Sequence, residues 1–246
     1  MKKEILYERL LDLLFPNDIK CIVCDDELSS YTKYGVCEKC AKNLPFITQK
    51  ICERCGEPID DLANYCNRCK NKHVKFFTQA RASFSYENEI VSLIHTLKFN
   101  YGRYLAEYLS NFLVDVYNKL DWKIDYVVPV PMSKKRFKQR GYNQSLLIAT
   151  QFCNSLNLTL NATNLVKIKH TLPQTELTGA DRYENLINAF MVQDNKLFKD
   201  KNILLIDDVY TTGSTMEEIS RILLKSGVKN VYCLTVAHTK PPKDLD

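Results

Sequence analysis

The sequence is poor in the residues that punctuate fibrous and unstructured chains. Seven glycines and eight prolines among 246 residues exclude a collagen repeat and the Gly/Pro-rich low-complexity classes. Long apolar runs are missing as well. The longest stretch free of charge, Gly141 to Val166, contains five asparagines and is too polar to span a bilayer. No charge of one sign dominates: 34 basic and 29 acidic side chains leave +5, which permits a nucleic-acid partner only where cations cluster locally. Histidine is scarce and scattered (His73, His95, His170, His238), without the H-x-E … P-C-x-x-C order of a zinc deaminase. At the amino terminus Ile5, Leu6, Leu10, Leu13 and Leu14 share one helical face between Glu4, Glu8, Arg9 and Asp12. This predicts an amphipathic helix over 1–16, stopped at Pro16, and those charges deny the unbroken apolar core of a signal peptide. With no membrane segment or export signal in view, a cytoplasmic location is expected.

Cysteine is abundant instead. Eight of the ten fall in four C-x-x-C pairs: Cys21/Cys24, Cys37/Cys40, Cys52/Cys55 and Cys66/Cys69. In a reducing cytosol such spacing reads as metal ligation rather than disulfides. Each C-x-x-C turn aims two thiolates at one ion, and two turns complete a closed tetrahedral site, structural rather than catalytic. The stretch 17–75 is too short and polar for a core of its own, and structural zinc supplies roughly 10–16 kcal/mol of apparent folding energy in finger peptides. Two structural Zn2+ sites are therefore expected, with free thiols, disulfides or an iron–sulfur cluster as the rival readings. Sequential pairing (21, 24, 37, 40, then 52, 55, 66, 69) is favoured over a cross-braced one. Cys153 and Cys233 read as buried small hydrophobes.

Beyond residue 76 strands and helices alternate. Strands are expected in FFTQARASFSY, Asp125–Pro131, Leu165–Ile168, Phe190–Val192, Ile203–Ile206 and Val231–Val236; helices in 89–99, YLAEYLSNFLVDVY, 143–156 and 215–225. That order predicts an α/β domain over 76–240 with a mostly parallel sheet, preceded by the small Cys-rich module over 17–75.

The sharpest signal is ILLIDDVYTTGST, residues 203–215. A buried strand ends in Asp207 and Asp208, a small hydroxyl-rich loop follows, and a helix begins. Ligands of open α/β sheets bind at that edge. Thr211, Thr212, Ser214 and Thr215 offer hydroxyls, Gly213 admits close backbone approach, and the helix directs its N–H groups and positive dipole end at the loop. Thr215 with Glu218 fits a capping box that would start the helix. The pattern is a nest for one phosphate monoester, with the two acids placed for sugar hydroxyls. An ordinary Thr-Thr-Gly turn is the plainer alternative, and the Walker Gly-Lys-Ser/Thr is missing.

A basic loop lies upstream. Lys134, Lys135, Arg136, Lys138 and Arg140 place five cations in seven residues, with Phe137 among them and Tyr142 after. This composition suits pyrophosphate, bound by arginine forks and lysine charge, or single-stranded nucleic acid, with rings stacking on bases. A solvated basic loop without a partner is the remaining alternative. His95 is read as a packing or capping residue.

Taken together these residues resemble the ComF family, the ComFC/GntX-like proteins of bacterial competence and DNA utilisation. The resemblance rests on the four cysteine pairs, Ile94–Lys98, Pro129-Val-Pro131 leading to Arg140-Gly-Tyr-Asn-Gln144, Thr171-Leu-Pro-Gln174, Arg182-Tyr-Glu-Asn185, Ala189-Phe190 and the 203–215 segment. Tyr142 stands where the family usually has Phe. The resemblance implies a double zinc ribbon followed by a type I phosphoribosyltransferase-like fold. In that superfamily the acids hold the ribose hydroxyls of phosphoribosyl pyrophosphate (PRPP) and the loop its 5′-phosphate, with Mg2+ bridging the phosphates. It further implies action on imported single-stranded DNA during natural transformation, alongside a DNA-import translocase or recombination factor. Two other functions stay open: an active phosphoribosyltransferase of unknown acceptor, and a zinc-ribbon nucleic-acid adaptor with a degenerate PRPP site. Residues 171–185, after Lys169 and His170, are expected to fold over a bound ligand.

Overall fold

The computed structural model describes residues 20–28, 32–60, 62–71, 76–99, 102–168 and 188–239. The expected helix over 1–16 and the expected cover over 171–185 fall outside them. Two compact units part between Leu44 and Pro45, within the cysteine-rich stretch rather than after it.

In the first unit, the turn Cys21–Asp26 closes through Cys21 N–H to the Asp26 carbonyl (2.8 Å) and Asp25 N–H to the Cys21 carbonyl (2.9 Å). A short helix α1 (Glu38–Asn43) follows, with the Cys37 sulfur accepting from the Cys40 N–H. The second unit repeats the device. Cys52 N–H donates to the Glu57 carbonyl (2.7 Å) and Gly56 N–H to the Cys52 carbonyl (3.0 Å), and α2 (Asn67–Asn71) carries Cys69. The two turns are the same fold written twice: bridges join Lys20 to Glu27 and Ile51 to Pro58. Asp25 and Gly56, each four residues past the first cysteine, both adopt positive φ (60° and 75°).

The rest of the second unit is an α/β layer. Strand β1 (Gln79–Ser85) leads into α3 (Glu89–Phe99), whose Ile90, Leu93, Ile94 and Leu97 recur at helical spacing and are all buried. A 3-10 turn at Gly102–Tyr104 opens α4 (Leu105–Tyr117). Strand β2 (Tyr126–Pro129), α5 (Lys134–Arg140) and α6 (Gln144–Leu156) come next. A two-stranded antiparallel ribbon pairs β3 (Leu165–Lys167) with β4 (Phe190–Val192). The chain then runs through α7 (Asn195–Phe198), β5 (Asn202–Tyr210), α8 (Ser214–Lys225) and β6 (Asn230–His238). The main sheet has the order β1-β6-β5-β2, and every pair in it is parallel.

Strand β5 reaches farther than the apolar run predicts. It continues past Ile206 to Tyr210, because Asp207 pairs in register with Thr235 and Tyr210 with His238. Its alternate residues serve opposite faces. Ile203 and Leu205 join one buried cluster with Met216, Ile219 and Leu223 of α8, and with Cys52, Cys55, Cys66 and Cys69. Across the unit, Phe84 is fully buried between Phe46 (ring centroids 4.7 Å) and Phe112 (4.9 Å). The second cysteine module thus belongs to the core of the α/β layer, which resolves the problem of its small size.

Gly56 carries that junction. A Cβ built there would lie 2.6 Å from the Ala80 carbonyl oxygen of β1, in a backbone conformation that already favours glycine. Gly56→Ala is expected to lower unfolding free energy by about 1–3 kcal/mol, read as a lower urea midpoint at unchanged m-value. An unshifted midpoint would show the module to be loosely docked.

Candidate functional site

Both four-cysteine groups form as sequential sets, 21/24/37/40 and 52/55/66/69, with all sulfurs in each within 4.8 Å of one another. The Cys24–Cys37 sulfurs stand 3.8 Å apart and the Cys55–Cys66 sulfurs 3.6 Å. Four thiolates at about 2.3 Å from one tetrahedral ion stand about 3.8 Å apart, so both sets fit a single zinc. Neither leaves an open coordination position. Cys153 and Cys233 are buried in α6 and β6, apart from both sets.

The carboxyl end of the sheet opens into a cleft of about 670 Å3. Asp207 and Asp208 line it, together with Thr211, Gly213 and Thr215 from the following turn and Arg136 and Arg140 from α5. Adjacent carboxylates in a buried position need partners, and three residues on two helices supply them. Ser145 Oγ donates to Asp207 Oδ1 (2.6 Å) and Gln144 Nε2 to Asp208 Oδ1 (3.1 Å). Lys98, at the end of α3, forms an ion pair with Asp208 Oδ2. Gln144 and Ser145 sit at the first turn of α6, which Asn143 caps while its own amide donates to the Val130 carbonyl (3.0 Å). Arg140 donates to the Gln144 side-chain Oε1, so one polar chain runs Arg140–Gln144–Asp208–Lys98.

These contacts drive the two acids apart in proton affinity. Burial and the neighbouring Asp208 charge push Asp207 up to about 8, against the bond from Ser145. Burial also works against the Asp208 charge, but the Lys98 ammonium outweighs it and holds Asp208 below the usual carboxylate range. On the facing ribbon, burial and the Arg136 charge bring Lys167 down to about 8, its ammonium 5.2 Å from the Phe190 ring centre.

The hydroxyl-rich turn is held open by Gly213, at φ +78°, which caps α8 through its carbonyl to the Glu217 N–H (2.8 Å). The helix therefore begins at Ser214, and the expected Thr215–Glu218 capping box does not form. Glu218 is drawn instead to the Asn188 N–H (2.8 Å) and to Arg221 (2.7 Å). Thr212 and Ser214 hydrogen-bond each other (2.8 Å), and Thr211 and Thr215 are the hydroxyl residues of the turn that line the cleft.

The basic stretch is a helix, not a loop. Ser133 caps α5 by accepting from the Arg136 N–H, and Gly141 ends it in the left-handed region. Helical spacing then separates the five cations: Arg136 and Arg140, four apart, line the cleft, while Lys134, Lys135 and Lys138 are exposed and do not. Tyr142 is not available to stack on a base. Its ring is buried beneath Arg103 (4.6 Å), and its hydroxyl donates to the Leu97 carbonyl. That bond ties the α5–α6 corner to α3 and so places Lys98. His95 lies exposed at the cleft rim, its ring tilted on Phe99 at 4.9 Å. Lys98, Gln144 and Ser145 were not singled out from sequence as partners of the acids. The only signal was the place of Lys98 and Gln144 at the ends of the Ile94–Lys98 and Arg140–Gln144 motifs; Ser145 follows the second and carried none.

Residues 10–70 match the family model of the double zinc ribbon domain, and residues 109–245 that of the phosphoribosyl transferase domain. The chain is 33% identical over 221 residues to competence protein F of Haemophilus influenzae, covering 87% of this chain and 94% of that protein. It is 28% identical over 208 residues to the DNA utilization protein YhgH of Escherichia coli K12, covering 82% and 90%. Competence protein ComFC of Bacillus subtilis is 26% identical over 222 residues, covering 84% and 89%.

Metal analysis is expected to find about two zinc ions per chain, and about one after Cys40→Ser. The acid pair makes a separate prediction. The unfolded Asp207 carboxyl ionises near its ordinary value of 3.8 and the folded one near 8. The unfolded state therefore loses its proton first, so Asp207's contribution is full below about 4 and declines as pH rises to about 8. Relative to Asp207→Asn, the urea midpoint of the unsubstituted protein should fall from pH 5 to pH 8 and then level. Parallel profiles would refute the assignment.

Proposed function

The chain belongs to the ComF family, a double zinc ribbon joined to a phosphoribosyltransferase domain, and from that premise we propose that its cleft binds PRPP in the service of DNA uptake and use. The observation that carries this reading is the shared cleft: the acid pair, the Thr211–Thr215 turn and the two arginines of α5 all open into it. The 5′-phosphate sits in the turn, against the amino terminus of α8, where N–H groups and the helix dipole favour an anion. The ribose hydroxyls meet Asp207 and Asp208. Lys98 keeps Asp208 ionised, so that carboxylate accepts from a hydroxyl. The pyrophosphate lies toward Arg136 and Arg140, whose planar forks match phosphate oxygens.

The ligand's own phosphate oxygens would hold Mg2+, which would offset pyrophosphate charge. If the bound ligand reacts, the C1–O bond to pyrophosphate breaks and a nucleophile bonds to C1. The chain's own part is then to hold the sugar in place and to offset charge on the departing pyrophosphate. The relatives' names, competence protein and DNA utilization protein, support a role in handling imported DNA. The exposed Lys134, Lys135 and Lys138 beside Phe137, which is 49% exposed, support contact with single-stranded DNA outside the cleft. The work belongs in the cytosol, where PRPP and entering DNA would meet.

PRPP with Mg2+ at about 100 times its Kd should raise unfolding free energy by about 2.7 kcal/mol, and Asp208→Ala should remove most of that shift. A melting temperature indifferent to PRPP would end the reading. Charge removal at Lys134, Lys135 and Lys138 should flatten the salt dependence of single-strand binding, while leaving the PRPP-induced shift in place.

A further inference from the structure

The second four-cysteine set lies in the same buried cluster as Phe77, Tyr210 and Met216, the residues beneath the phosphate-type turn. Two side chains link the metal to that turn. His238, at the end of β6, is 1% exposed, and its Nδ1 stands 2.7 Å from the Thr239 carbonyl oxygen. A carbonyl only accepts, so Nδ1 carries the proton and Nε2 presents a lone pair. That Nε2 is buried without a hydrogen-bond partner among the described residues, and a nitrogen of the same ring lies within 4.8 Å of Cys55 Sγ and a Glu57 carboxylate oxygen. Buried polar atoms are normally satisfied. Here the ring's orientation follows a different demand, its stack on Tyr210 at 4.6 Å and 17°.

Tyr210 passes the contact on. It faces His238 in the β5–β6 register and meets Phe77 edge-on at 6.2 Å. Its hydroxyl end presses against Gly213: a Cβ built on that glycine would lie 2.1 Å from Tyr210 Oη and 2.5 Å from Cζ. The left-handed turn therefore rests on the tip of the tyrosine ring. From Cys55 through His238 and Tyr210 to Gly213 there is a continuous path of packed, rigid groups.

We propose that Tyr210 and His238 form a strut through which the metal-loaded second ribbon sets the position of the 211–215 turn, so that anion affinity in that turn depends on the metal. The affinity half of this proposal rests on the turn being the phosphate site. The strut itself does not. Both are positioning residues: they act by holding Gly213, whose backbone closes the turn, and take no part in bond making.

The test uses the full-length Cys40→Ser chain, which carries metal at the second site alone. Replacing zinc with cadmium lengthens the metal–thiolate bonds without changing the ligands. The backbone amide resonances of Thr211 and Gly213 are expected to move, while those of Ile148 and Ala149 in α6 stay in place. Tyr210→Leu should abolish the response at Gly213, and Tyr210→Phe, which keeps the ring, should restore it. A Gly213 resonance indifferent to the metal, or one still responsive in Tyr210→Leu, overturns the strut. If Tyr210→Leu does not fold, His238→Ala takes its place with the same two outcomes. PRPP titration is the second arm: about tenfold weaker binding in Tyr210→Leu and less than about twofold in Tyr210→Phe. Equal affinity in all three, or PRPP binding by the Tyr210 chain that is the same with zinc and with cadmium, overturns the dependence on the metal. If the unsubstituted chain binds no PRPP, the phosphate reading fails while the cadmium arm still decides the strut.

Discussion

Two carboxylates placed side by side at the end of a buried strand repel each other and lose hydration, and the surrounding structure is arranged to answer that. Lys98 arrives on α3, Gln144 and Ser145 on the first turn of α6, and each neutralises or hydrogen-bonds one oxygen of the pair. Without them Asp208 would be an uncompensated buried charge, the costly state for a folded protein. The solution is asymmetric: one acid stays ionised against the lysine while its neighbour tends to hold a proton. That asymmetry gives one edge of the cleft both a hydrogen-bond acceptor and a donor, which suits a polyhydroxylated sugar better than two identical charges would.

Holding those partners in place explains several contacts that look incidental alone. Tyr142 reaches the Leu97 carbonyl and so fixes the end of α3 one residue before Lys98. Asn143 caps α6 and also grips the Val130 carbonyl, so Gln144 is pinned from two sides. Gly102, where a Cβ would lie 2.7 Å from the Thr96 carbonyl oxygen, lets the chain turn tightly out of α3. Each anchors a helix end, the usual support for a polar site on rigid elements.

The cysteine modules differ in what their metal supports. Both are built on the same turn, and the second shares a buried cluster with β5 and α8. For a short polar segment, ligation by four thiolates replaces an apolar core. In the second module the four cysteines also supply one wall of a larger core that includes Phe77 and Tyr210.

Much of this was legible residue by residue. The C-x-x-C pairs announced two four-thiolate sites because ligand spacing is a local property, and the apolar runs of β5 and β6 announced a parallel sheet because burial on both faces leaves no polar alternation. The order of strand, acids, hydroxyl turn and helix marked the edge at which the cleft opens. Local chemistry misled where two local signals competed: Thr215–Glu218 had the letters of a capping box, yet Gly213 took the cap and Glu218 found Arg221 and the Asn188 amide. The run 134–140 was rich enough in charge to pass for a loop, although Ser133 and Gly141 bounded a helix. Which lysine would meet Asp208, which two of five cations would face the cleft, and that the second metal module would lie under the turn emerged only on folding. Those facts depend on pairs of residues far apart in the chain, brought together by sheet order and helix packing, and no stretch of neighbouring letters encodes such a meeting.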